Sequence, residues 1–277
     1  MTLWQRLIPL YEAGEARAIV RLLLEDVFNL SLSDIICGGV EQLSADDQEK
    51  LERMMQRLEQ GEPVQYVTGK AVFCGRTFHV EPGVLIPRPE TEELVRWMME
   101  DVSGGEQRIL DVGTGSGCIA ISIAKELENA DVEAWDISED ALRIASENAC
   151  MLDARVRFVK QDVLAQSSTT IYPSTFTTII SNPPYICQKE KANMARNVLD
   201  YEPNIALFVP DDSPLLFYDA IAECASHALV DGGRLYFEIN PLYASDTEVM
   251  LTGMGFHDID IRTDEFGKKR MIRAQIR

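Results

Sequence analysis

Through the first 72 residues, apolar positions recur at helical intervals. In "EARAIVRLLLEDVF", Ala18, Ile19, Leu22, Leu23 and Val27 fall mostly three or four residues apart and leave charges on the opposite face, which predicts an amphipathic helix. "SLSDIICGG" stops on glycine. "SADDQEKLERMMQRLEQG" opens on Ser44, carries Asp46 and Asp47 where acids complement the helix dipole, and closes at Gly61. The period then changes. Val72, Phe73, Phe78, Val80, Val84 and Ile86 predict short strands around turns at Gly75 and Pro82-Gly83, and Thr91 is expected to cap a helix over "EELVRWMMEDV".

From residue 107 strands and helices alternate. "RILDVG", "VEAWDIS", "VRFVKQD", "FTTIISN" and "GRLYFEI" read as strands; "GCIAISIAKEL", "EDALRIASENACML", "PLLFYDAIAECASHAL" and "TEVMLTGMG" read as helices. Such alternation predicts an α/β fold, a mostly parallel sheet with helices on both faces. "HDIDIR" and "RMIRAQIR", joined by "TDEFGKK", are expected to form an antiparallel hairpin at the sheet edge. The expected domains are a helical module over 1–72, a β-hairpin linker over 73–88 and the α/β domain over 89–277.

Composition narrows the partners. The 277 residues carry a net charge of −19, and binding a nucleic-acid backbone needs clustered Lys and Arg, so direct nucleic-acid binding is not expected. Lys268, Lys269, Arg270, Arg273 and Arg277 alternate with Ile272 and Ile276 and read as the polar residues of an edge strand. The six cysteines are scattered without metal-ligand spacing, so no metal is expected, and free thiols fit a reducing compartment. With no apolar run of the ~20 residues that span a bilayer and no signal sequence, a cytoplasmic location is expected.

Candidate chemistry lies at the strand ends. "DVGTGSG" sets Gly113, Thr114, Gly115, Ser116 and Gly117 at a strand-to-helix turn, where glycines let a ligand lie against backbone N–H groups. Its spacing departs from the G-x-G-x-x-G of pyrophosphate-binding folds, which disfavours a nicotinamide dehydrogenase. The next strand ends in Asp136, placed to accept from ribose hydroxyls, and the third in Asp162 and Val163, placed for an adenine amine and ring. Together they predict an adenosine cofactor without pyrophosphate, S-adenosylmethionine (SAM). The fourth strand runs into Asn182, Pro183, Pro184 and Tyr185. Two prolines stiffen the corner and remove donors. The Asn182 side-chain oxygen and the Pro183 carbonyl are thus placed to accept from one planar –NH₂, with Tyr185 against its flat face.

These residues, with "IPRPETE", "YEP" (Tyr201 to Pro203) and "GGRLYFEI" in the same order, resemble the protein-(glutamine-N5) methyltransferases, the release factor family known as PrmC or HemK. The resemblance implies a Rossmann-like class I SAM-dependent methyltransferase sheet behind a small N-terminal helical domain. It implies methyl transfer from SAM to the glutamine amide of the GGQ motif in class I peptide-chain release factors, with the helical module docking the substrate. By position, Gly113 to Gly117 take the methionine and ribose end of SAM, Asp136 the ribose hydroxyls, Asp162 and Val163 the adenine, and Asn182 to Tyr185 the target amide. The chain departs from the family pattern at Val163, where an aromatic is frequent, and at Asp212, Ser213 and Pro214. The Asn-Pro-Pro-Tyr corner is shared with amino-methyltransferases of DNA, so the alternative is methylation of adenine or guanine in DNA or RNA.

Overall fold

Inner strands are buried on both faces and so are mostly apolar, and residues 109–112, 132–135 and 179–181 are buried without alternation, with Asp111, Glu133 and Ser181 as their polar members. The computed structural model describes residues 2–102, 104–165 and 175–277. Two compact units divide the chain: residues 1–70, 80–82 and 194–202 form one, and residues 71–79, 83–193 and 203–277 the other.

The first unit is helical: α1 (Ala13–Phe28), α2 (Leu32–Ile36), α3 (Ala45–Glu59) and α4 (Val64–Thr68). Its core gathers Leu7, Ala16, Val20, Leu23, Leu24, Leu51, Met55 and Leu58. The buried stripe of α1 therefore runs through Ala16, Val20, Leu23 and Leu24, while Ala18 and Leu22, expected on it, are exposed. At 100° per residue the expected stripe is rotated away from the true one, because Leu22 and Leu23 both fit an apolar spacing. The Ser44 hydroxyl caps α3 by accepting from Asp47 N at 3.1 Å. Arg57 then pairs with Glu62 at 2.6 Å and donates to the Tyr66 and Val67 carbonyls, fixing α4. A short helix α8 (Arg196–Tyr201), absent from the sequence expectation, also belongs to this unit; the Tyr201 hydroxyl donates to the Gln60 carbonyl at 3.0 Å.

In the second unit β1 (Lys70–Phe73) and β2 (Arg76–His79) form a hairpin. Its two-residue turn puts Cys74 at φ 47° and Gly75 at φ 70°, the positive values such tight turns need. Val84 and Ile86, expected in a further strand, are buried but irregular; Pro82, Pro87 and Pro89 deny that segment ladder donors. Helix α5 (Pro89–Asp101) starts with Pro at its first turn and Arg88 as cap. Thr91 is thus inside the helix and does not cap it as expected. Glu92 accepts from Cys74 N at 2.9 Å and ties the hairpin to α5.

The main sheet has the order β10-β11-β9-β6-β3-β4-β5. Its strands are β3 (Gln107–Val112), β4 (Ala130–Asp136), β5 (Arg157–Lys160), β6 (Phe176–Ser181), β9 (Leu229–Glu238), β10 (His257–Thr263) and β11 (Lys269–Gln275). A small parallel ladder, β7 (Ile186–Cys187) with β8 (Phe208–Val209), lies beside it in sequence. Strands β9, β6, β3, β4 and β5 pair in parallel, and β11 pairs antiparallel to both β9 and β10. The outer strand of the C-terminal hairpin is β10. The basic residues of β11 are therefore not those of an edge strand: Arg273 pairs with Asp101 at 2.6 Å and Arg270 with Asp264 at 3.4 Å. Helices α6 (Cys118–Glu126), α7 (Glu139–Met151), α9 (Leu216–Ala228) and α10 (Ala244–Gly253) complete the layers. Alternate strand residues feed two cores, Leu110, Ile179, Leu235 and Phe237 on one face and Ile109, Val132, Ile180 and Tyr236 on the other. The chain order reverses between β3 and β6, the switch point where open parallel sheets bind ligands.

Candidate active site

At that switch point, beyond the carboxyl ends of β3 to β6, lies a cavity of about 250 Å³. Gly113, Gly115, Asp136, Asp162, Val163, Asn182, Pro183 and Pro184 line it, four strand ends brought to one place. Thr114, Ser116, Gly117 and Tyr185 do not line it and serve the walls from behind.

The glycine loop divides by surroundings. Gly113, Gly115 and Gly117 have φ of 77°, 54° and 81°. A Cβ on Gly113 or Gly115 would meet nothing within 4 Å, so these two hold space open for a ligand. A Cβ on Gly117 would lie 2.8 Å from Ile121 Cδ1 and 3.1 Å from Ala145 Cβ, so this glycine lets α6 approach α7. Gly113 N and Thr114 N both donate to the Trp135 carbonyl at 2.9 Å. Beneath the loop, fully buried Asp111 accepts from the Thr114 hydroxyl at 2.6 Å and from Ala120 N at 3.3 Å. Burial pushes its carboxyl up to about 7.

Asp136 accepts from Gly115 N and Ser138 N, each at 2.9 Å, and burial raises its carboxyl as well. A carboxylate has about four lone-pair sites, so acceptor capacity remains for a hydroxyl beyond the backbone N–H groups around it. Asp162 accepts from Leu164 N at 2.9 Å through Oδ1, and its second oxygen is unengaged among the described residues. Val163 packs on the apolar cluster behind the cavity. An open glycine cradle, two acids with spare acceptors and an apolar wall fit the adenosine and sulfonium parts of SAM.

The corner is clamped at both ends. Ser181 Oγ donates to the Val112 carbonyl at 2.6 Å, and Ile186 N donates to the Leu207 carbonyl at 2.9 Å, where β7 begins. The Tyr185 carbonyl accepts from Asn240 Nδ2 at 3.1 Å. Its hydroxyl donates to Glu238 Oε1 at 2.9 Å, and its ring packs on the core beneath the sheet ends. Burial and the Glu238 charge push the Tyr185 phenol upward. The half-buried Tyr185 ring, expected against a flat amide, packs on this core and is not among the cavity-lining residues. Asn182 donates through Nδ2 to Thr91 Oγ1 at 3.0 Å, while its Oδ1 and the Pro183 carbonyl accept no hydrogen bond among the described residues.

Three contributors are assigned no role by the sequence motifs, although one of them, Glu238, lies inside "GGRLYFEI". Asn148, fully buried, accepts from His79 N at 2.7 Å and donates to the His79 and Ser116 carbonyls at 2.9 Å, joining the hairpin to the glycine loop. Its signal is position: it shares the buried face of α7 with Ala141, Ile144 and Ala145. Glu238 is visible as a lone charge in the apolar run "LYFEI". Phe217, on α9, closes the cavity from a helix read only as structural.

Known proteins add to this geometry. Residues 77–203 match the model of the Methyltransferase small domain, and residues 9–69 that of the PrmC N-terminal domain. The chain is 47% identical over 270 residues to a release factor glutamine methyltransferase of Bacteroides thetaiotaomicron, covering 98% of this chain and 96% of the relative. It is 38% identical over 277 residues to that of Flavobacterium psychrophilum, covering 99% and 96%. Among solved structures, a methyltransferase from Pyrococcus furiosus superposes with a TM-score of 0.53 at 16% identity, covering 84% of this chain and 98% of that one. A T. thermophilus 16S rRNA N2 G1207 methyltransferase, solved with AdoMet and guanosine, gives 0.53 at 19% identity, covering 75% and 50%. At such identities these two show the fold.

Proposed function

The chain belongs to the release factor glutamine methyltransferase family and is a SAM-dependent enzyme, and on that premise we propose that it methylates N5 of the glutamine in the GGQ motif of class I peptide-chain release factors. The observation that carries the reading is the meeting of Asn182, with its oxygen unengaged among the described residues, and the glycine-and-acid cradle around one cavity. Gly113 and Gly115 leave room for the methionine and ribose end of SAM, Asp136 takes the ribose hydroxyls, and Asp162 with Val163 takes the adenine. Thr114, Ser116 and Gly117 shape this loop from behind. Residues 1–72 dock the release factor, 73–88 link, and 89–277 carry the transfer, without direct nucleic-acid contact and in the cytoplasm.

SAM, when bound, supplies a methyl group on a positively charged sulfur. An amide nitrogen is a weak nucleophile because its lone pair is delocalised into the carbonyl. Asn182 Oδ1 and the Pro183 carbonyl accept its two N–H bonds, which orients the amide and stabilises positive charge developing on nitrogen during attack. Pro183 and Pro184 keep that pair of acceptors rigid and free of competing donors. Tyr185, pinned through its hydroxyl and carbonyl, anchors the corner from below.

Mass spectrometry of a release factor incubated with the protein and SAM tests this. One added methyl on the GGQ glutamine is expected, and none on a Gln→Ala substrate. Unmodified release factor with labelled methyl on added DNA or RNA would overturn the proposal in favour of a base-directed enzyme.

A further inference from the structure

We propose that Glu238, acting through Thr91, fixes the Asn182 amide with its oxygen toward the cavity, making Glu238 and Thr91 positioning residues for the methyl-accepting amide; this rests on the functional reading above. The three residues come from β9, α5 and the corner after β6, Thr91 standing 147 positions from Glu238 and 91 from Asn182 in the chain. Glu238 is 2% exposed and receives two hydroxyls, Thr91 on Oε2 at 2.6 Å and Tyr185 on Oε1 at 2.9 Å.

The direction of this chain of bonds follows from chemistry. An ionised carboxylate accepts and cannot donate. The Thr91 proton therefore points to Glu238, and the Thr91 oxygen is left as an acceptor. Asn182 must offer it an N–H, which is the contact found at 3.0 Å. The two ends of an asparagine amide are nearly equal in shape and opposite in hydrogen-bonding sense. With Nδ2 committed to Thr91, Oδ1 is the end left for a substrate N–H. Turned over, Asn182 would set its own N–H groups against those of the substrate.

A hydroxyl or amide in place of Glu238 could donate or accept and would leave the direction open. Burying a carboxylate is otherwise costly, and Glu238 sits in a strand whose neighbours Leu235, Tyr236 and Phe237 are buried apolar residues. Burial pushes its carboxyl up, while the two hydroxyl donors and the nearby Arg270 charge hold it down.

Three variants test the chain: Thr91→Val, Thr91→Ser and Glu238→Gln. Each is assayed for kcat and KM with a release factor, for SAM affinity by calorimetry, and by 1H–15N spectra of the Asn182 side-chain NH₂, assigned by its loss in Asn182→Ala. Thr91→Val should lower kcat by roughly 10- to 100-fold, in the range for disturbing one preorganised polar contact. SAM affinity should stay within about threefold, since that contact lies on the acceptor side of the cavity. Hydrogen exchange of the Asn182 NH₂ should quicken. Thr91→Ser keeps the hydroxyl and should recover most of the lost turnover. In Glu238→Gln the introduced amide can face Thr91 with either end, so its turnover should fall between those of the two Thr91 variants. Turnover by Thr91→Val within twofold of the parent, or equal losses in Thr91→Ser and Thr91→Val, would overturn the inference. A parent protein that transfers nothing to a release factor refutes the functional reading instead, and the NH₂ exchange then still decides the bond chain.

Discussion

Gly115 and Gly117 stand two residues apart in one loop, and alanine at each should fail in a different way. At Gly117 the left-handed φ of 81° costs an L-residue roughly 1–2 kcal/mol. The added methyl also meets Ile121 Cδ1 at 2.8 Å and the Ala145 backbone at 3.3 Å, and such overpacking costs about 1–3 kcal/mol. The sum is roughly 2–5 kcal/mol, which lowers Tm by about 5–15 °C in a domain of this size. At Gly115 the φ of 54° carries the same conformational cost, but the methyl meets nothing within 4 Å. Its stability loss should stay near 1–2 kcal/mol, while the methyl occupies space at the cavity wall and weakens SAM binding by roughly tenfold or more. Scanning calorimetry without SAM and titration calorimetry with it separate the two. If Gly117→Ala melted with the parent, or Gly115→Ala proved the less stable, the division of the loop into packing and binding glycines would be wrong.

Other outcomes follow from the same contacts. Asn182→Ala should lower kcat by roughly 10- to 1000-fold with little change in SAM affinity; equal losses of both would refute its assignment to the acceptor side. Asn148→Ala removes the three bonds made to the His79 N–H and to the His79 and Ser116 carbonyls and should destabilise by about 2–5 kcal/mol, read by urea unfolding. Asp111 gives a pH signature. Its carboxyl is raised from 3.8 to about 7 in the folded chain, so the unfolded chain ionises first as pH rises and stability is lost between about pH 4 and 7. Asp111→Asn should therefore leave Tm unchanged near pH 4 and raise stability above pH 7 by up to roughly 4 kcal/mol. A gain confined to acid pH would contradict this.

The parallel sheet is legible because its inner strands, buried on both faces, leave short runs that are mostly apolar and broken by single polar residues such as Asp111 and Glu133, and the glycine loop because its turn excludes side chains. Ser44 is legible as a cap because capping is local: hydroxyl and target N–H lie three residues apart. Thr91 misleads for the same reason. Its sequence context fits a cap, and only the distant Glu238 and Asn182 reveal its actual partners. The β7–β8 ladder joins two-residue segments that carry no period, and the α1 stripe is misphased because adjacent leucines satisfy either choice. Partners within a few residues show in a sequence; the bonds of Thr91 to Glu238 and Asn182, made between distant segments, do not.

Strand β9 has consequences for the order in which the protein assembles. Its one edge pairs with β6, but its other edge stays open until residues 269–275 arrive as β11 and set Met271 opposite Glu238. Strands β3, β4 and β5 pair sequential neighbours, which close short loops and form early, whereas β9 depends on a later segment on its far side. During refolding the cofactor cradle should accordingly form before Glu238 is seated and before Asn182 is held. Binding of S-adenosylhomocysteine should then return ahead of methyl transfer, and simultaneous recovery of the two would count against this order. Until β11 docks, the open edge of β9 is also the place where two half-folded chains can pair with each other.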